Sequence, residues 1–183
     1  MLGMVFTELL EMVEEKFSLD VVDDVLEATG LSGAYTSVGD YADADLVAIV
    51  HALSDRTGVA VHDLLVAYGE HLFGRFVVTH GFLLGDGADM YAFLAGLESH
   101  VHTEVRRLYE ASKPPTFSSR WSDEGTFALE YRSDRGLWPF AVGLLRGCFE
   151  HFGERPSLSV EDLSGGAGTH VRFTLTPSAA DAA

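Results

Sequence analysis

The sequence predicts an α+β fold, with a mostly helical N-terminal half followed by a small mixed α/β half. Three observations carry this. Apolar residues recur at helical spacing through the first 110 residues. Lys113-Pro114-Pro115 then ends the pattern, since proline lacks an amide hydrogen and crowds the preceding turn. Beyond it, short runs alternate apolar and polar residues, as half-buried strands do.

The elements follow in order. Residues 2–17 place Val5, Phe6, Leu9, Leu10, Met12, Val13 and Phe17 at helical spacing. Ser18 is suited to cap a second helix that ends near Gly30. Residues 31–42 are a Gly- and Tyr-rich loop. Asp43 is suited to cap a third helix carrying Leu46, Val47, Ile49, Val50 and Leu53, closing at Gly58. Residues 61–78 form a fourth with a wide apolar stripe, Leu64, Leu65, Tyr68, Leu72, Phe73 and Phe76. After a loop over residues 81–87, one long helix is predicted over 89–109. Residues 126–133 read as a strand with Phe127, Leu129 and Tyr131 on one face. Residues 138–152 are helical, with Pro139 tolerated in the first turn. Two strands, 157–163 and 169–176, flank Ser164-Gly165-Gly166-Ala167-Gly168. Residues 177–183 read as a disordered tail.

Composition bounds the function. A chain of 183 residues, 47% apolar and 11% aromatic, is enough for one domain with a real core. Its apolar runs fall short of the roughly 18 residues of a membrane span. No basic leader precedes a hydrophobic stretch, so no secretory signal is expected and the cytoplasm is the expected location. A single cysteine, Cys148, excludes an intrachain disulfide framework and multi-cysteine metal sites. It sits among Leu144, Leu145 and Phe149, a setting for a buried, inert thiol. The net charge of −16 argues against nucleic acid, whose binders need the opposite sign. The charge is skewed: residues 1–90 hold 16 acids and 3 bases, residues 91–183 hold 12 and 9. An acidic solvated surface accounts for the first half; the second is better suited to hold an anion.

Two clusters could carry chemistry. The first is His100-Val101-His102. Residues two apart on a helix diverge by roughly 200°, so both cannot ligate one ion from one face. Each lies at a margin of the apolar stripe, and the helical wheel does not choose between them. A small metal-dependent enzyme using either histidine with Glu98 and Glu104 has no further motif behind it. The second is Tyr131-Arg132-Ser133-Asp134-Arg135. On a strand, Tyr131, Ser133 and Arg135 share one face and present two hydroxyls and a guanidinium, the group that pairs carboxylates in a fork. An ordinary strand exit turning at Gly136 reads equally from these residues alone.

Together these features resemble the heme–nitric oxide/oxygen binding family, the H-NOX domain of bacterial gas sensors and soluble guanylate cyclase. The resemblance spans roughly residues 1–176. It rests on Met1-Leu2-Gly3, Tyr68-Gly69, and Val101-His102 with Val105, Tyr109, Pro114-Pro115 and Phe117. The Y-x-S-x-R signature stands at Tyr131, Ser133 and Arg135, followed by Gly143-Leu144-Leu145 and Gly147. The family register selects His102, by its distance to Tyr109 and the prolines. One departure stands out: where the family has an Asn-Leu-Asp type stretch, this chain reads Gly96-Leu97-Glu98-Ser99, one residue longer, with His100 intruding.

The resemblance implies an antiparallel sheet in the second half and a heme between the halves. Residues 1–60 would form a distal helical lobe and residues 61–176 a heme-clamping lobe of one sensor domain. It makes His102 the axial ligand of a heme b iron, with Tyr131, Ser133 and Arg135 on the propionates and Pro115 against the porphyrin. Val5, Leu9, Leu72, Phe73, Phe76, Phe140 and Leu144 would line the gas pocket. Members that hold O2 use a tyrosine where this chain has Phe140. The implied function is therefore a non-enzymatic sensor of NO that also takes CO and forms no stable O2 complex. The signal would be release of His102, passed to a separate histidine kinase or cyclic-di-GMP enzyme. A heme-free interaction module on the same fold is the alternative.

Overall fold

A computed structural model describes residues 1–85, 89–109 and 113–178. Four helices open the chain: α1 (Met4–Lys16), α2 (Leu19–Thr29), α3 (Asp43–Thr57) and α4 (Val61–His80), the last followed by a 3-10 turn, Gly81–Leu84. The Ser18 hydroxyl caps α2 by accepting from the Val21 amide, and Gly30 ends it in the left-handed region at φ 68°. Asp43 is not the side-chain cap the sequence suggests. It is the first residue of α3 after Ala42, and its carboxylate pairs with cations instead.

The predicted long helix over 89–109 is three pieces. These are α5 (Met90–Gly96), a π-helical turn (Leu97–Val101) and α6 (His102–Leu108). The His102 amide donates to the Leu97 carbonyl five residues back, where an α-helix would reach four. A π-turn holds more residues than an α-helical turn without breaking the helix axis, and this one covers Leu97-Glu98-Ser99 of the stretch where the sequence departs from the pattern it resembles.

A four-stranded antiparallel sheet follows, β1 (Thr116–Trp121), β2 (Phe127–Arg132), β3 (Ser157–Asp162) and β4 (His170–Thr176), in the order β1-β2-β4-β3. Helix α7 (Trp138–Phe152) connects β2 to β3. The strand β1 is not predicted by the sequence. Its Ser118-Ser119-Arg120 stretch hides the alternation, and it is an edge strand held by pairing with β2 and by Phe117 and Trp121 against neighbouring aromatic rings. The other elements match expectation to within a few residues. Positions 86 and 87 of the predicted 81–87 loop lie outside the described residues, as do 179–183 of the predicted tail.

Two apolar cores share α4. Leu64, Leu65, Tyr68 and Leu72 face α1, α2 and α3. Val66 and Phe73 face α5, the sheet and α7. Helices α4 and α7 cross with their backbones in contact. A methyl on Gly69 would lie 2.3 Å from the Phe140 carbonyl oxygen, and one on Gly143 would lie 2.0 Å from that of Val66. Only glycine fits there, and the crossing sets Phe140 and Leu144 on the same cavity as Phe73 and Phe76. Among the described residues no helix is long and apolar enough to cross a membrane.

Candidate cofactor site

Close-packed cores leave few voids larger than a water, which needs about 10–15 Å³. This molecule holds a cavity of about 270 Å³. Its walls are mostly apolar: Val5 of α1, Phe73 and Phe76 of α4, Phe93 and Leu94 of α5, and Phe140, Ala141, Leu144, Leu145 and Cys148 of α7. Polar groups enter from a few places. His102 opens α6, Lys113, Pro114 and Pro115 follow it, and Tyr131, Ser133 and Arg135 run out of β2. The cavity therefore gathers the histidine, the proline and the whole Tyr-Ser-Arg row from segments up to 33 positions apart in sequence.

Ten of the twelve residues singled out in the sequence line this cavity; Leu9 and Leu72 do not. The cavity meets only the start of α1, at Met1, Leu2 and Val5, and Leu9 lies a turn beyond, packed in the helical core. On α4, Phe73 and Phe76 face the cavity. Leu72 shares its stripe with Leu65 and Tyr68 and faces α1, α2 and α3. Lining residues that the sequence reading missed include Lys113, Phe117 and Leu129. Leu129 was legible as the inward partner of Tyr131 on an alternating strand; Lys113 carried no pattern.

The two histidines are distinguished by their surroundings. His100 is exposed, pairs with the Ser99 hydroxyl at 2.9 Å and does not line the cavity. The His102 side chain is 14% exposed and does line it. Burial pushes the His102 imidazole below its ordinary pKa, more than the Glu98 carboxylate beside it raises it. At neutral pH the ring is neutral and keeps a lone pair, the form that binds metals. The Tyr131 phenol is pushed up, chiefly by burial, so it stays a neutral hydroxyl beside Ser133 and the Leu137 amide. Arg135 pairs with Asp43 of α3, Nε to Oδ2 at 2.5 Å. The wall contributed by α1, α4 and α7 has no hydroxyl aimed inward. Tyr68 stacks behind Phe140 at 5.0 Å, and its hydroxyl donates to the Val5 carbonyl.

Among the described residues no cluster of three or more His, Cys, Asp or Glu could hold a bare metal ion. One buried neutral imidazole on a large apolar cavity suits a metal that arrives already chelated, needing only an axial ligand. A polar rim with a guanidinium suits a cofactor that ends in carboxylates. These features define a cofactor-holding domain with an iron-porphyrin type of site. The chain matches the family model described as haem-NO-binding over residues 2–160. It is therefore a member of the H-NOX family, whose domains bind heme and sense diatomic gases.

The solved structures agree. An unliganded Fe(II) H-NOX protein from K. algicida is 34% identical, with 97% of each chain covered and a TM-score of 0.90. An S. oneidensis H-NOX protein in the Fe(II)NO state is 26% identical, covering 97% of this chain and 99% of that one, also at 0.90. A T. tengcongensis H-NOX variant is 20% identical at 0.88, a likeness of fold. A comparison with curated proteins found no match.

Proposed function

We propose that this domain senses nitric oxide at a ferrous heme b, takes CO as well, and forms no stable O2 complex. The carrying observation is one cavity bounded by the imidazole of His102, the Tyr131-Ser133-Arg135 row and an inward hydroxyl-free wall at Phe140. Heme, when bound, supplies the iron that takes the gas. His102 is the axial ligand. Tyr131, Ser133 and Arg135 donate to the propionate carboxylates, and Pro115 bears on the porphyrin face. Phe140, with Val5, Phe73, Phe76 and Leu144, excludes water and offers no donor. NO needs no donor as much as O2 does, because the O2 unit is the more polarised.

The output of this sensor is release of the His102 imidazole, which frees α6 and lets the distal helices, residues 1–60, shift against residues 61–176. That gives gas-bound and gas-free states different contacts, as a switch requires. The signal passes to a separate histidine kinase or cyclic-di-GMP enzyme in the cytoplasm. The acidic first half offers such a partner a complementary surface.

The test is an absorption spectrum of the heme-reconstituted ferrous protein alone, with NO, with CO and in air. A Soret band that shifts with NO and CO and gives no persistent O2 spectrum is expected. His102→Ala should abolish or shift the resting band, and His100→Ala should leave it unchanged. A protein that takes up no heme is a heme-free interaction module, and a stable spectrum in air overturns the gas selectivity.

A further inference from the structure

One carboxylate beside the cavity has three partners from two elements, α6 and β1. Glu98 sits in the π-turn. Its Oε2 accepts from the Phe117 amide of β1 at 3.1 Å and lies 3.4 Å from Nδ1 of His102. Its Oε1 accepts from Nη2 of Arg106 on α6 at 2.6 Å. Phe117 and Arg106 fix the carboxylate plane, so the oxygen aimed at Nδ1 is not free to swing away. Glu98 and His102 are four residues apart. The five-residue reach of the π-turn sets this approach, as the His102 amide closes on Leu97 rather than on Glu98.

We propose that Glu98 is the positioning residue of the axial imidazole: it holds the proton on Nδ1, turns the Nε2 lone pair into the cavity, and sets how firmly His102 binds iron. The inference rests on the reading of His102 as the heme ligand. Its chemistry is general. A carboxylate accepting from one ring nitrogen fixes the tautomer and makes the other nitrogen a stronger donor. At 3.4 Å the bond is at the long limit for N–H···O, so Glu98 steers the ring more than it clamps it. Arg106 draws off part of the negative charge, which moderates the donor strength. The imidazole is thereby held, yet remains releasable. The Phe117 contact also ties the ligand turn to the edge of the sheet, so a moving His102 pulls against β1.

Two measurements test it on the full chain, with Glu98→Gln and Glu98→Ala beside wild type. The first is the 15N NMR tautomer of His102 in the heme-free protein. Wild type should show the Nδ1–H form, and Glu98→Ala a mixture. The second is the iron–histidine stretching frequency of the reconstituted ferrous protein. It should fall in Glu98→Gln and fall further in Glu98→Ala, with heme loss to excess apomyoglobin about 10–100-fold faster in the latter. If neither tautomer nor frequency moves while the thermal midpoint drops, Glu98 is only a structural tie to β1 and the proposal is wrong. Glu98→Gln keeps the side chain's shape and its acceptor for Phe117, so it decides the matter if Glu98→Ala does not fold. Failure of the underlying reading looks different: His102→Ala would keep the wild-type resting spectrum.

Discussion

Nε of Arg135 lies 2.5 Å from Oδ2 of Asp43, joining residues 92 positions apart. Asp43 opens α3 and Arg135 ends the polar row at the cavity, so the pair links the cavity rim to the helical core. The chain's amino group adds to the cluster, 3.3 Å from Oδ1 of Asp43. The guanidinium suited to a propionate thus already has a carboxylate partner in the protein. An anion in the cavity and Asp43 would share it.

The first prediction concerns acid stability. Burial raises the Asp43 pKa, but the hydrogen bond and charge of Arg135, with the amino group, outweigh it and leave it lowered. A carboxyl lowered in the folded state stabilises fully above its unfolded pKa, near 3.9, and loses that contribution as pH falls through the folded value. Asp43→Asn should therefore be less stable than wild type at pH 7, the gap closing below about pH 4. Urea midpoints of the heme-free proteins from pH 7 to 3 check this. Parallel curves would show that the pair contributes nothing.

The fold was legible because the helices keep clean 3.6-residue stripes and the Lys113-Pro114-Pro115 break is sharp. What stayed hidden depends on interactions between elements. β1 is stabilised by its neighbour β2, and Ser118-Ser119-Arg120 carries no apolar rhythm. The π-turn lies within one continuous apolar stripe, so no periodicity reveals it. Leu9 lies one turn beyond Val5 and Leu72 sits next to Phe73, yet neither lines the cavity. Which side of a shared helix faces the cavity is decided by how α4 lies between two cores. The choice of His102 over His100 needed the family register, since the helical wheel placed both at a margin. The neutrality of His102 and its link to Glu98 follow only from the packing of the π-turn against β1.

The glycine crossing supplies a second prediction. A methyl on Gly143 would lie 2.0 Å from the Val66 carbonyl oxygen and 2.8 Å from the Gly69 Cα, all backbone that cannot rotate away. Gly143→Ala should cost at least about 2 kcal/mol, the upper part of the overpacking range, and lower Tm by roughly 4–8 °C. On the same helix α4, a methyl added at Gly74 would meet nothing within 4 Å. Gly74→Ala should be neutral or stabilising by up to about 1 kcal/mol, from helix propensity alone. Differential scanning calorimetry of the two variants checks both, and equal midpoints would remove the crossing from the account.

Cys148 gives a third. It lines the cavity yet is buried, and burial pushes its thiol up to about 12. At pH 8 the thiolate fraction is then on the order of one in ten thousand, and the thiolate is the reactive form. The native heme-free protein should not react with a disulfide reagent such as DTNB, and the urea-unfolded protein should release one equivalent. Rapid labelling of the native form would mean that the wall around Cys148 opens.

The last prediction concerns gas choice. Phe140 lines the cavity and stacks on Tyr68 at 5.0 Å. Tyr68 does not line it, and its hydroxyl donates to the Val5 carbonyl, a bond it would have to abandon to serve the pocket. The ring at 140 is thus where a hydroxyl can be added facing the cavity without removing an existing hydrogen bond. Phe140→Tyr supplies a donor, and a hydrogen bond to a charged acceptor is worth about 1.5–3 kcal/mol. That is roughly 10–100-fold in O2 affinity. The variant should hold a ferrous–O2 spectrum in air where wild type does not, while CO affinity changes much less, since bound CO is the weaker acceptor. Stopped-flow O2 dissociation and CO rebinding on both proteins separate the two effects. Should O2 and CO affinities move together, the substitution has altered access to the pocket, and the missing hydroxyl is not what sets the selectivity.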